Sequence, residues 1–438
     1  MKILFSPVGM TDPISNYHDG ALLHICRYYR PDVVYLYYSQ EICKIEREDD
    51  RYRYCLERLQ EKLGIRFEIR VIRREDLVDV HVFDFFMKEF REILQEIRRC
   101  YPEDELLLNV SSGTPAMKSA LEKMAVLLED RMIPIQVSTP RKSSNVHHEE
   151  REAYDKEFYW EMNEDNEEGS ENRCTEFTSN NFFYEIQKGI ARKHIQAYDY
   201  VAAREIARRI GILDPRCMAA IQGACDRMKL DYQAAEKKFN LAGFSGIPVK
   251  KGRMADIVEY YLWLSIKVKR EEYADFLRGI TPLLVDVFES VLRKQCGIEL
   301  PSLTYEDSKK RIRGWSEGKL RKHPEILETL KYKYKEKGGF RMGPVNSDSL
   351  NALLQAYCND EATRRNADLI RGVEETIRNM AAHQIIAITK TRIQDLTGED
   401  PESILRALRG LILVFFNGDR DILVHSYERM NENLIALL

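Results

Sequence analysis

The run Arg378-Asn379-Met380-Ala381-Ala382-His383 places a permanent cation, a carboxamide and an imidazole within six residues of a helical pattern. A guanidinium can hold a phosphate undergoing transfer, and a histidine can act as acid or base near neutral pH. Together they can cleave RNA without a metal, with the ribose 2′-OH as internal nucleophile. Asn379 adds a polar group able to position a phosphate, and the two alanines let another helix pack closely. The same spacing recurs at Arg420-Asp421-Ile422-Leu423-Val424-His425, where the enclosed Ile-Leu-Val reads as core. Taken alone, either pair is better read as a structural ion pair or a buried histidine. Residues five apart on an ideal helix are rotated by about 140° and separated by about 7.5 Å, so a site shared across a two-fold axis converges them better than one chain.

A second chemical feature is a strand that runs into an anion cradle. Leu106-Leu107-Leu108-Asn109-Val110 leads into Ser111-Ser112-Gly113-Thr114-Pro115, and Ala116-Met117 open a helix. Thr114 suits the N-cap and Pro115 the first helical position. Free backbone N–H groups, three hydroxyls and a glycine suit phosphate or ribose. The segment has neither a Walker lysine nor a GxGxxG, which argues against ATP hydrolysis and dinucleotide binding. The loop after the first strand, Ser6-Pro7-Val8-Gly9-Met10-Thr11-Asp12-Pro13, is expected at the same edge, with Asp12 accepting from ribose hydroxyls or an adenine amine. Two tight turns with capping residues are the alternative.

Between Lys309 and Arg341, twelve Lys/Arg stand against four Glu, a local net of +8, interleaved with Trp315, Tyr332, Tyr334 and Phe340. Cations for phosphates and aromatics for bases suit single-stranded RNA, the alternative being a solvated lysine-rich face.

These residues need elements to position them. Segments 2–7, 33–38, 66–72, 105–110 and 133–137 read as strands, and 20–29, 46–63, 82–99 and 115–129 as helices between them. That alternation predicts a Rossmann-like parallel sheet covered on both faces, with ligands beyond the carboxyl ends of the strands. From Glu149 to Glu176 twelve acids face three bases, a net of -9, which reads as a solvated loop or insertion. Asp199-Tyr200-Val201-Ala202-Ala203 recurs as Asp231-Tyr232-Gln233-Ala234-Ala235, a period suited to helical hairpins, so this part reads as a helical connector. Runs 258–268, 280–292, 367–388 and 404–416 predict an all-α bundle. No strand pair is read there, which disfavours a winged-helix DNA reader.

Composition narrows the class. The 438 residues carry a net charge of -4, with 44% hydrophobic and 32% charged residues, which excludes a globally basic nucleic-acid coat and a disordered chain. Nine scattered cysteines without a CxxC read as free thiols of a cytoplasmic, metal-poor protein. No apolar run reaches the ~20 residues of a membrane span, and Pro7 and Gly9 interrupt anything resembling a signal peptide.

Asn109 through Met117, Gly9 through Pro13, Arg378-Asn379 with His383, and the ending Ser426-Tyr427-Glu428-Arg429-Met430-Asn431 together carry a resemblance. The chain resembles the CRISPR-associated ribonucleases of type III systems that join an N-terminal CARF domain to a C-terminal HEPN domain, in their Csm-type branch. The resemblance implies an α/β plus all-α chain: a CARF sensor over 1–175, a helical connector over 176–250 and a HEPN ribonuclease over 251–438. It implies a homodimer whose paired CARF domains bind a cyclic oligoadenylate, with cyclic hexaadenylate favoured over tetraadenylate. Occupancy would switch on metal-free cleavage of single-stranded RNA, leaving a cyclic phosphate. Carried over by position, Arg378, Asn379 and His383 are catalytic. Gly9, Met10, Thr11, Asp12, Asn109, Ser111, Ser112, Gly113 and Thr114 face the activator. No cofactor, metal, membrane or stable association with the effector complex is expected. Some members slowly cleave their activator, for which Thr114 would position the attacked phosphate. The alternative is a second-messenger sensor whose helical domain is not catalytic; a nucleotide-dependent enzyme on the Rossmann-like domain alone lacks its glycine fingerprint.

Overall fold

The computed structural model describes residues 1–127, 132–140, 154–176, 180–211, 213–307, 312–381 and 387–438. They form two compact units, Met1–Ile186 and Gln187–Leu438.

In the first unit, β1 (Lys2–Pro7) is followed by a small ribbon, β2 (Ile14–Ser15) and β3 (His18–Asp19), and by α1 (Ala21–Tyr29). Then come β4 (Val33–Tyr38), α2 (Gln40–Asp49), α3 (Arg51–Leu63), β5 (Glu68–Arg73), α4 (Phe83–Cys100), β6 (Glu105–Asn109), α5 (Pro115–Leu127) and β7 (Met132–Val137). A short α6 (Lys156–Glu161) and the edge strand β8 (Cys174–Glu176) complete it. The sheet order is β5-β4-β1-β6-β7-β8, parallel except for β8. Strand side chains alternate between two cores. Ile3 and Phe5 pack under Phe86, Phe90 and Leu94 of α4, whereas Leu4 packs with Leu22 of α1 and Leu56 of α3. Chain order reverses at the β1–β6 pair, which opens a crevice beyond their carboxyl ends.

Two expectations change here. The single helix expected over 46–63 is two, because Asp50 adopts a left-handed φ of 55°. The Glu46 carboxylate accepts the amides of Tyr52 (3.0 Å) and Arg53 (3.2 Å), so one helix caps the start of the next. The acidic stretch keeps its acids in solvent where it is described, all but Asp165, yet it is anchored rather than a free loop. Trp160, Asn163 and Asp165 are buried, and β8 pairs with β7. Of the nine described acids only Asp165 is buried, and arginines neutralise it and the neighbouring Asp19 of β3. Asp19 accepts Arg27 at 2.6 and 3.0 Å and Asn163 at 2.7 Å, and Asp165 accepts Arg173 at 2.7 Å. Burial would raise both carboxyls, yet hydrogen bonds from His24 and the arginine charges hold them below the usual carboxylate range. Residues 149–153 lie outside the described residues.

The second unit contains most of α7 (Asn180–Gln196), then α8 (Tyr200–Ile210), α9 (Pro215–Met228), α10 (Tyr232–Ala242), α11 (Arg253–Lys269) and α12 (Tyr273–Val291). A hairpin of β9 (Thr304–Asp307) and β10 (Ile312–Trp315) follows. Next are α13 (Glu317–Leu320), α14 (Pro324–Lys333), α15 (Ser347–Tyr357), α16 (Glu361–Ala381), α17 (Lys390–Thr397), α18 (Pro401–Leu413) and α19 (Ile422–Ala436). The unit is helical as expected, and the hairpin corrects only the expectation that it holds no strand pair. The hairpin makes no winged-helix reader, since the helix before it, α12, is core: Phe276, Ile280, Leu284, Val287 and Phe288 are all buried.

The internal repeat is a capping repeat. Asp199 accepts the amide of Ala202 and Asp231 that of Ala234, so α8 and α10 start with the same N-cap. Ala203 and Ala235 are both fully buried, and the helices end at Gly211 and Gly243. The connector helices share one hydrophobic core with the helices that follow. At its centre Arg227, 0% exposed, donates to both oxygens of Glu259 (2.9 and 3.0 Å) and to Ser426 (2.8 Å), and lies 4.1 Å from the Tyr427 ring centroid. Tyr200 donates to Asn431 at 2.8 Å, whose amide reaches the Ile195 carbonyl at 3.0 Å. The 426–431 run therefore clamps α19 onto α7, α8 and α9. All nine cysteines are free thiols, and no helix among the described residues is long and apolar enough to cross a membrane.

Replacing Arg227 with Met strands the Glu259 charge in the core, and should lower stability by about 3–5 kcal/mol in a urea titration. Restoring an apolar pair with Glu259→Leu should recover most of that loss; no recovery would show that Arg227 acts through something other than this ion pair.

Candidate functional site: a two-loop cradle and a helix end

β1 and β6 pair in register, Phe5 opposite Leu108, so the loops that leave them start side by side. Asn109, fully buried, organises both. Its amide nitrogen donates to the hydroxyls of Ser6 and Ser112, each at 2.8 Å, and its oxygen accepts the amides of Ser111 (2.9 Å) and Ser112 (3.2 Å). Every hydrogen-bonding site of the carboxamide is occupied.

Asp12 plays the matching part in the first loop. Its oxygens accept the amides of Gly9 (3.0 Å) and Leu22 (3.1 Å), and Ser112 hydrogen-bonds to it as well. Burial pushes the carboxyl above its ordinary range, while those hydrogen bonds oppose the rise. The loops touch through glycines. A Cβ on Gly9 would lie 2.8 Å from the Gly113 amide nitrogen, and Gly113 itself has φ +84° with Met117 and Pro7 at 2.9 Å from its would-be Cβ. Only a residue without a Cβ fits this approach.

The nine residues expected at the activator are thus brought together, in two roles. Asp12, Asn109 and Ser112 are buried and bond inward, so the expected contact of Asp12 with a ribose or adenine is replaced by a framing role. Gly9, Met10, Thr11, Ser111, Gly113 and Thr114 form the accessible rim, with Met10 48% exposed. Ser111 accepts the Val137 amide at 2.8 Å. Thr114 caps α5 and donates its hydroxyl proton to the Val80 carbonyl at 2.6 Å. Among the described residues the amides of Gly113, Thr114 and Ala116 have no acceptor, which leaves three donors at a helix N-terminus for an anion.

The residues missed in the sequence are Val80, which holds Thr114 through its backbone, and Gly20, whose Cβ would meet the Thr11 carbonyl at 2.5 Å. A backbone carbonyl leaves no trace in residue type; a glycine just before a helix was the only available signal. Asp19, His24 and Asp165 have metal-ligand types in close array. Arg27 and Arg173 already occupy the carboxylates, and the His24 Nε2 accepts the Arg173 amide at 3.0 Å, so the cluster fits an ion-pair network.

In the second unit, Arg378 and Asn379 fall in the last turn of α16, and His383 lies outside the described residues. One turn before Arg378, Glu374 is buried, hydrogen-bonded by the Ser347 hydroxyl and 3.6 Å from Arg371. The rival pair is not core as expected. Arg420 and His425 are exposed, Val424 is too, and His425 lies 3.6 Å from Asp421. In the basic cluster Trp315 is 2% exposed and packs inward, contrary to the expectation that it meets a base.

A doubly wound domain with an anion cradle at its switch point, then a helical connector and a helical domain whose sequence carries Arg-x4-His, is the architecture of a CARF–HEPN protein. Comparisons agree segment by segment. The Cas_Csm6 CARF domain description matches residues 68–174, the Csm6 6H domain 177–228 and the Cas_Csm6 HEPN domain 246–435. The CRISPR system endoribonuclease Csm6 of Mycobacterium tuberculosis is 35% identical over 408 residues, 93% of each chain. A Streptococcus thermophilus Csm6 is 31% identical over 301 residues, 67% of each chain. The structure of Enterococcus italicus Csm6 bound to cyclic hexa-2′-fluoro-hexa-dAMP shares the fold, with a TM-score of 0.72 and 22% identity over 100% of both chains. The chain belongs to the Csm6 family.

Gly9→Ala should force the two loops apart and abolish cyclic oligoadenylate binding in calorimetry, with the far-UV spectrum and melting transition of the whole chain retained. Undiminished binding would show that the rim tolerates a wider gap than the cradle implies.

Proposed function

We propose that this protein is a ligand-gated endoribonuclease of a type III CRISPR defence. Residues 1–175 sense a cyclic oligoadenylate, 176–250 connect, and 251–438 cleave single-stranded RNA. The observation that carries the sensing half is the set of three free amides at the start of α5, beside the Gly9–Gly113 approach at the switch point. A ring of phosphates and riboses with two-fold symmetry matches two such cradles in a homodimer. The six-membered ring in the Enterococcus italicus structure supports cyclic hexaadenylate as the preferred activator.

For cleavage, Arg378 neutralises the scissile phosphate, Asn379 orients one of its oxygens, and His383 moves the proton. The 2′-hydroxyl attacks phosphorus as its proton is removed, and the 5′-oxygen of the next nucleotide leaves with a proton. The products are a 2′,3′-cyclic phosphate and a 5′-hydroxyl, so neither water nor metal takes part. Because residues five apart on an ideal helix diverge, the site is composite, built by two copies across the two-fold axis. Slow opening of the activator ring in the cradle belongs to the same reading. There Thr114, held by Val80, positions the attacked phosphate through its amide. The protein works in the cytoplasm without lasting attachment to the effector complex.

The test is cleavage of a fluorophore–quencher RNA in EDTA with cyclic tetra-, cyclic hexa- or no oligoadenylate. Cyclic hexaadenylate should switch cleavage on. His383→Ala should lower the rate by about 10²–10⁴-fold with activator binding intact, and His425→Ala should leave it within about two-fold. Binding of the ring without any cleavage would instead favour a sensor with a non-catalytic helical domain.

A further inference from the structure

The lysine-rich end of α14 has no part in the scheme above. Across 331–341, Lys331, Lys333, Lys335, Lys337 and Arg341 face the single acid Glu336. The chain then folds back: Gly338 and Gly339 have φ of +83° and +87°, and the Gly339 amide donates to the Tyr334 carbonyl at 2.9 Å. The Phe340 ring lands 5.8 Å from Tyr334 and 6.2 Å from the buried Trp315. Three aromatic side chains thus clasp the turn from within.

Tyr332 is left out of that clasp. It is 82% exposed, the highest value among the exposed large hydrophobic side chains of the described residues, at the end of a helix whose Ile326 and Leu330 are buried. Lys331 and Lys333 flank it, and Lys335 and Arg341 are exposed with no acidic partner among the described residues. Packing gives no reason for an aromatic ring here, and solubility needs none. The platform is also tied to the catalytic helix. Asp348 at the start of α15 lies 3.5 Å from Lys333 and 3.6 Å from Arg371 of α16. Position 378 follows Arg371 by seven residues, about 10.5 Å along the helix axis and on the same side.

We propose that Tyr332, with Lys331, Lys335 and Arg341, is a docking platform for the single-stranded RNA substrate. The ring stacks on one base while the cations take the phosphates on either side, upstream of the cleavage site on α16. Stacking explains an exposed tyrosine that tolerates any base, and the flanking charges suit a backbone rather than a folded partner. The inference rests on the ribonuclease reading for its substrate and adds where that substrate is held.

Two readouts test it on the full-length chain. Anisotropy of a labelled twelve-nucleotide RNA is measured in the His383→Ala background, and KM and kcat are measured in the otherwise unmodified chain with cyclic hexaadenylate. Tyr332→Ala should weaken RNA binding by about 5–150-fold, the range for loss of one stacked base, and raise KM with kcat nearly unchanged. Tyr332→Phe should restore both. Lys331→Gln with Lys335→Gln and Arg341→Gln should reduce the slope of log affinity against log salt by about 2, at roughly 0.7 per lost phosphate contact. If the parent binds and cleaves RNA while these variants match it in affinity, KM and salt slope, the platform is overturned and the ribonuclease reading stands. If the parent neither binds nor cleaves RNA, the ribonuclease reading falls and takes the platform with it.

Discussion

The Asn109 carboxamide sits between two strand ends that would otherwise diverge. Its two donors and two acceptor positions reach Ser6, Ser111 and Ser112, so the loop after β6 is bound to the end of β1 at the molecule's topological switch point. Asp12 repeats the logic from the other loop, through Gly9, Leu22 and Ser112. Buried polar groups are costly when unpaired and rigid when fully paired. The cradle gains its fixed shape from that asymmetry: the side chains with the strongest polar character face inward, and backbone amides are left to face the ligand. Small residues on the rim then follow as a necessity, because the Gly9–Gly113 approach leaves no volume for a Cβ.

A comparable arrangement of buried charge holds other parts of each unit. Arg27 and Arg173 bring the acidic segment 154–176 against α1 and the β2–β3 ribbon, turning what composition reads as solvated chain into a structural strap. Arg227 does the same for the connector, where it ties α9 to Glu259 of α11 and to Ser426 and Tyr427 of α19. Such pairs add little net stability over a well-packed apolar core, but breaking one is expensive. They specify which helix face meets which, a property that uniform apolar helices of this bundle would define poorly.

The lock also gives the 426–431 run a physical meaning. Ser426, Tyr427, Met430 and Asn431 all face the core, and Glu428 reaches Tyr198 at 2.6 Å as well as Lys269. These residues are six or more positions past Arg420 and have no chemical role in view. A motif recognisable in sequence is here a seam between connector and helical domain, and the connector is consequently part of one core with it.

What was legible in the sequence was whatever depends on local periodicity and capping. The five parallel strands, the N-cap at Thr114, the repeat of helical hairpins at Asp199 and Asp231, and the strand-to-loop course of 105–115 all follow from residue types within a few positions. Residue types also brought the two loops to one edge, because glycines and hydroxyls next to a helix start have few other uses. The sequence could not divide those residues into frame and rim. Asp12 and Asn109 look like ligand contacts until burial shows both facing inward. Nor could it foresee that twelve acids include a buried strap, that 46–63 breaks at Asp50, or that a β hairpin interrupts the helical domain. The frame and the strap depend on partners far along the chain, Asn109 with Ser6 at 103 positions and Arg27 with Asn166 at 139, whereas the break at Asp50 turns on whether the nearby Glu46 carboxylate caps Tyr52 and Arg53. Local pattern determines what an element is, whereas only tertiary packing decides which of its polar groups lose water and must therefore find one another.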